Sequence, residues 1–230
     1  MPGIQIFMAG NGELLPPIQS YPLANNLAGA QTTTVPGAMS IGDFVVLTTK
    51  SSLTSNGVPV LRSLLEQDLT DLYQQGGLDI GILGISNDNL ATNANGIING
   101  QPQFINNVPN VIFSMPSKGA VWGTDPVSGR NLTGVILSTP QVQFQGFLDP
   151  AQNITNMYTL PGTQAGLTIS TNTYGQNIYL INPNATTKIL TIQSVDTSDP
   201  SYGTNGALVR FVINSAYNQY NNPNGFYTSY

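Results

Sequence analysis

"KILTIQSVDTSDPSYGTNGALVRFVI", Lys188 to Ile213, holds two strand-like runs joined by a link rich in turn formers. In the second run Ala207, Val209, Phe211 and Ile213 occupy alternate positions, the two-residue period that puts them on one face of a strand. The first run, Lys188 to Val195, is apolar and β-branched. The link contains Asn205-Gly206, a pair that reaches positive φ at low cost and so reads as a tight turn. Asn-Gly pairs also begin at Asn11, Asn56, Asn95, Asn99 and Asn224. Short strands spaced by such turns point to an antiparallel sandwich or barrel.

Working outward, further segments fit. Asp43 to Thr49 (DFVVLTT) follows the turn-like Ser40-Ile41-Gly42, and Leu78 to Ser86 and Asn110 to Met115 look the same. In Gln141 to Gln145, Val142 and Phe144 alternate with glutamines, as in a half-buried strand. One segment breaks the pattern. Leu61, Leu64, Leu65, Leu69 and Leu72 recur at helical spacing and Gly76-Gly77 follows as a stop, which predicts a short α-helix over about 60–76. Asp68 falls inside that stripe. Either the helix packs loosely there, the reading favoured by the sequence, or Asp68 pairs with a cation such as Arg62 or one on a partner.

The expected fold class is all-β, mainly an antiparallel sandwich or barrel, with that one helix and extended terminal arms. Residues 1–38, rich in Pro, Gly, Asn and Thr, read as an arm that could reach on the order of 120 Å when stretched, or lie on its own domain. Residues 39–214 form the β-rich domain, with a sub-boundary near 150–160, and 215–230 a C-terminal tail.

Composition limits function. Of 230 residues, 7% are charged against about 25% in an ordinary globular chain, and 25 asparagines with Thr, Ser and Gln supply the polarity instead. The net charge is −5, and Lys50, Arg62, Lys118, Arg130, Lys188 and Arg210 are scattered, which argues against nucleic acid. There is no Cys and no His, so disulfides, thiol nucleophiles, Cys/His zinc sites and imidazole-based triads are out. No basic-then-apolar leader opens the chain and no apolar run of about 18 residues occurs, so neither secretion by signal peptide nor a membrane helix is expected.

Candidate chemistry is sparse. Asp196 and Asp199 are close enough to be weighed as a glycosidase-type pair or a calcium site, but Asp-x-x-Asp-Pro reads best as an Asx-stabilised turn. Ser86 to Gly96 is oxygen-rich yet holds one carboxylate, Asp88, and no closing Glu, so it fails the EF-hand pattern. Ser117 and Lys118 are adjacent and would point to opposite faces of a strand, which separates a Ser–Lys dyad. Trp122 reads as core. Expected catalytic residues, metal ligands and cofactors are none, and the chain reads as a non-enzyme.

The segments AMSIGDFVVLTTKSS (Ala38 to Ser52) and GGLDIGILGISNDNLATNANG (Gly76 to Gly96) resemble a pattern in capsid decoration (cement) proteins of tailed bacteriophages: a Gly-Asp-x-Val strand, a Gly-Ile-Leu-Gly strand, then an Asn/Ala/Gly loop. Residues 166–213 resemble the closing strands of that family in the cadence Val195-Asp196, Asp199, Gly203, Asn205-Gly206-Ala207, Val209, Phe211, Ile213. The resemblance implies a β-rich structural protein, often trimeric, that reinforces capsomer contacts on the outer capsid. The partners it implies are the major capsid protein and sister subunits, and the location the outside of a virion assembled in the host cytoplasm. The alternative is a head or tail fibre or other adhesin module that binds cell-surface glycans.

The last eighteen residues contain no charge but hold Tyr217, Tyr220, Phe226, Tyr227 and Tyr230. Each ring buries about 150–250 Å² when docked, and tyrosine is enriched in interfaces. The expectation is that 215–230 dock on a sister subunit or the capsid shell, against the alternative of packing on their own domain.

Overall fold

The computed structural model describes residues 4–9, 18–22, 38–39, 42–48, 60–66, 68–69, 81–87, 90–91, 103–105, 108–110, 132–139, 142–152, 154, 156–171, 177–196 and 206–218. They form two antiparallel sheets. The larger runs in the order β1 (Gln5–Ala9), β11 (Val142–Phe147), β15 (Leu208–Ile213), β14 (Leu190–Val195), β12 (Gln164–Thr171), β13 (Asn177–Asn182). The smaller runs β2 (Ile18–Pro22), β10 (Leu132–Leu137), β6 (Gly84–Ser86), β4 (Phe44–Thr48), β5 (Val60–Ser63). Two short ribbons pair β3 (Ala38–Met39) with β7 (Leu90–Ala91), and β8 (Gln103–Ile105) with β9 (Val108–Asn110).

The alternation read from sequence sets which side of the large sheet is core. Ala207, Val209, Phe211 and Ile213 are all buried, and so are Val142 and Phe144, while the residues between them are half-buried. This sheet curls. Leu148, just past β11, bridges to Ile181 of β13, and the Asp149 amide donates to the Ile181 carbonyl at 2.9 Å. A bulge in β14 between Ile192 and Ser194 helps the bend, since one extra residue raises local twist. Gly42 (φ 87°) and Gly206 (φ 93°) lead into β4 and β15 in left-handed conformations that suit glycine.

The inner strands of the smaller sheet, β10, β6 and β4, are buried on both faces. Phe44, Val46, Ile85 and Ile136 join the large core shared with the curled sheet. Their neighbours Val45, Leu83, Val135 and Leu137 form a second cluster with Met39 and Leu61. Hence β4 reads as a continuous apolar run, because a strand covered on both sides has no polar face to show. Gly84 permits the β6–β10 contact, since a Cβ there would lie 1.9 Å from the Ile136 carbonyl oxygen. Phe44 joins the two sheets: its ring meets Tyr179 edge-on at 5.3 Å and Phe211 at 6.2 Å, and Phe144 lies 6.0 Å from Phe211.

Two expectations need correction or refinement. The helix over 60–76 is replaced at its start by β5, which pairs with β4 from Val45↔Ser63 to Thr48↔Val60. Beyond it, helical geometry among the described residues is confined to Glu66 and Asp68–Leu69. The leucine stripe misled because its members serve different cores. Leu61 faces the second cluster while Leu64 and Leu69 face the first, so tertiary context overrides the local period. Asp68 does not sit in a loosely packed helix but forms a buried bidentate pair with Arg62, both contacts 2.6 Å. One core cluster draws members from both sides of 150–160, Phe44 and Phe144 with Tyr179 and Phe211.

The described parts of residues 1–38 lie on their own domain. Gln5↔Gln145 through Ala9↔Val142 and Ile18↔Ile136 through Leu132↔Pro22 follow one antiparallel path beside the β10–β11 crossover. The segment thus ties both sheets together.

Candidate interaction site at the root of the C-terminal segment

Beyond β15 the chain makes a single 3-10 turn, Ser215–Tyr217. Asn214 precedes it and is tied to the β13–β14 connection. Its amide donates to the Ile189 carbonyl at 2.9 Å, its Nδ2 to the Lys188 carbonyl at 3.0 Å, and its Oδ1 accepts from the Thr191 hydroxyl. Asparagine fits here because one side chain offers both a donor and an acceptor. Tyr217 is half-buried against the main core, and its carbonyl accepts from the Ile82 amide at 2.8 Å. Asn218 is buried and bridges in parallel to Ile82, with its Nδ2 donating to the Ser138 carbonyl. Ser138 is itself buried and donates to the Leu83 carbonyl at 2.9 Å.

The root of the aromatic segment is therefore fixed on its own domain, which for Tyr217 is the alternative placement weighed above. Tyr220, Phe226, Tyr227 and Tyr230 lie outside the described residues, as do Asp88, Ser117, Lys118, Trp122 and Asp199.

Beside this root lies an open cleft of about 560 Å³, lined by Gln164, Thr186, Thr187, Lys188, Asn214, Ser215, Ala216 and Tyr217. Its walls are rigidly linked. Asn214 cross-ties them, and the Thr187 hydroxyl donates to the Leu69 carbonyl at 3.0 Å. Gly166 lets the Thr186–Lys188 connection pack close, since a Cβ there would fall 2.0 Å from the Thr187 carbonyl oxygen. Lys188 is half-buried and its ammonium donates to the Pro183 carbonyl. Burial lowers its pKa, and no carboxylate among the described residues pairs with it.

Among the other described charges, Asp43, Arg62, Asp68, Asp149, Asp196 and Arg210 are paired or hydrogen-bonded. Asp196 meets Arg210 at 3.2 Å, so its carboxylate is engaged within the β14–β15 hairpin. Asp149 forms an Asx-type turn, accepting from the Ala151 amide at 2.9 Å, Gln152 at 3.0 Å and the Thr168 hydroxyl at 2.7 Å. Burial pushes its pKa upward, but these three donors outweigh that and hold it below the ordinary carboxylate value. Deep in the core, Tyr179 donates to the Leu64 carbonyl at 2.9 Å, and burial followed by the nearby Asp43 charge raises its pKa well above the usual phenol value. Among the described residues no three Asp, Glu, His or Cys side chains cluster as a metal site would need.

Sequence reasoning did not single out the cleft. Thr186-Thr187-Lys188 has no distinctive spacing, and its partners Gln164 and Asn214 are more than twenty residues away on either side. No family model matches the chain, and no curated protein or solved structure matches it either.

Proposed function

We propose that this is a structural virion protein that binds the outer surface of a phage capsid and stabilises contacts between capsomers. The observation that carries the reading is how the resembling segments pack. β4 and β6, from the first block, pair at Phe44↔Ile85 and Val45↔Gly84. β14 and β15, from the second, pair along Leu190↔Ile213 to Val195↔Val209. The two blocks, separated by residues 97–165, then meet at the Phe44–Phe211 contact. The resemblance thus falls on the framework of the fold, the part that a shared architecture would preserve. A surface poor in charge and rich in neutral hydrogen-bonding groups also suits a shell-bound protein, because salt screens it little.

In this reading the protein is a homotrimer, and the aromatic residues beyond Asn218 dock on a sister subunit or the shell. The test is light scattering of the full chain beside a chain ending at Asn218, with cosedimentation on capsids of the phage that carries the gene. Cutting after Asn218 spares the anchor formed by half-buried Tyr217 and buried Asn218. Capsid-bound trimers support the proposal. A chain that stays in the supernatant at every capsid concentration refutes it.

A further inference from the structure

We propose that the cleft beside Lys188 binds a saccharide bearing a carboxylate. The inference is independent of the virion reading and rests on the cleft alone.

Size comes first. About 560 Å³ lies within the roughly 300–1,000 Å³ range in which small organic ligands are held. The lining then selects the class. Such pockets are mostly apolar, whereas here Ala216 is the single aliphatic residue among eight, and the rest are amides, hydroxyls, one amine and one phenol. An apolar ligand would strip water from these groups and return no hydrogen bonds. A sugar offers hydroxyls that donate and accept, which matches the exposed Gln164, Thr186 and Ser215 side chains. The half-buried Tyr217 ring, held from behind by the core, supplies a rigid flank for the C–H face of a pyranose.

The charge decides the rest. Lys188 is partly buried, and its acceptor among the described residues is the neutral Pro183 carbonyl. A ligand carboxylate would supply the missing countercharge through a charge-assisted bond. One ammonium matches one carboxylate, whereas a phosphate dianion calls for several donors or a bidentate arginine. An added peptide strand fits less well, because β12 is flanked by β13 and β14 and β15 by β11 and β14.

Calorimetry on the full chain tests this with digalacturonate and N-acetylneuraminate, and with galactobiose as an uncharged match. The expected result is that at least one acidic sugar binds about tenfold or more tighter than galactobiose, the scale of one charge-assisted hydrogen bond. Lys188→Gln should erase that preference, and Ala216→Trp should abolish binding by filling the cleft. Ala216 is exposed, so the tryptophan variant should keep its thermal melt and remain decisive if Lys188→Gln does not fold. Failure of both acidic sugars to bind overturns the proposal. So does binding that survives Ala216→Trp, or an acidic preference that survives Lys188→Gln.

Discussion

Replacing Asp68 by alanine should be among the most damaging single changes in this protein. Both side chains of the Arg62–Asp68 pair are 3% exposed, and two contacts of 2.6 Å join them. Asp68 also accepts from the Leu65 amide at 2.8 Å, which orders the turn after β5. In Asp68→Ala the Arg62 guanidinium would retain the Ser63 carbonyl at 3.0 Å, while its Nε, already without a partner, gains none. A buried charge left in that state costs about 3–5 kcal/mol. With a urea m-value near 3 kcal/mol/M, at the upper end for small proteins, the midpoint should fall by about 1–2 M. The double variant Arg62→Met/Asp68→Leu removes both charges and fills the space, so it should recover most of the loss, as apolar replacements of buried pairs do. Urea titrations of Arg62→Met, Asp68→Leu and the double give the cycle. If Asp68→Ala costs under about 1 kcal/mol, or the double loses as much as the singles summed, the buried-pair reasoning is wrong.

Other outcomes follow from the same structure. Tyr179→Phe should cost about 1–3 kcal/mol by leaving the Leu64 carbonyl unpaired, and an unchanged denaturation midpoint would contradict that bond. Gly84→Ala should lose more than the roughly 1–3 kcal/mol of ordinary overpacking, because its Cβ would meet backbone rather than a movable side chain; an unaltered melt would argue against the β6–β10 register. Asp149 titrates below its unfolded value when folded, so its contribution is present above the ordinary carboxylate pKa and lost as pH falls through the folded one. Asp149→Asn should therefore flatten the acid limb of the stability profile. Lys188 has the opposite linkage: its lowered pKa means the unfolded chain binds the proton better. Lys188→Gln should gain stability at neutral pH, and that advantage should shrink as pH rises through the folded Lys188 pKa.

The strands at 141–145, 188–195 and 207–213 were legible because each has one buried face, so the two-residue period shows directly. The run 43–49 was legible for another reason, since apolarity without alternation marks a strand covered on both sides. β5 was not, because Leu61 and Leu64 turn to different clusters and their spacing imitates a helix. The strands at 5–9 and 18–22 were hidden as well: their partners lie more than a hundred residues away, and nothing local announces pairing. The cleft had no signature because its residues come from three separate stretches of chain and only the fold assembles them.

That distant pairing carries a kinetic consequence. β1 and β2 remain without their ladders until β10 and β11 have been synthesised. At about 5–20 residues per second, the interval between making Pro22 and Leu132 is on the order of ten seconds. Throughout it the nascent chain displays strand segments able to pair with the wrong molecule. Pro16, Pro17 and Pro22 bracket β2, and proline cannot donate to an intruding strand. Prolines at these positions disfavour such mispairing while the chain is still being made.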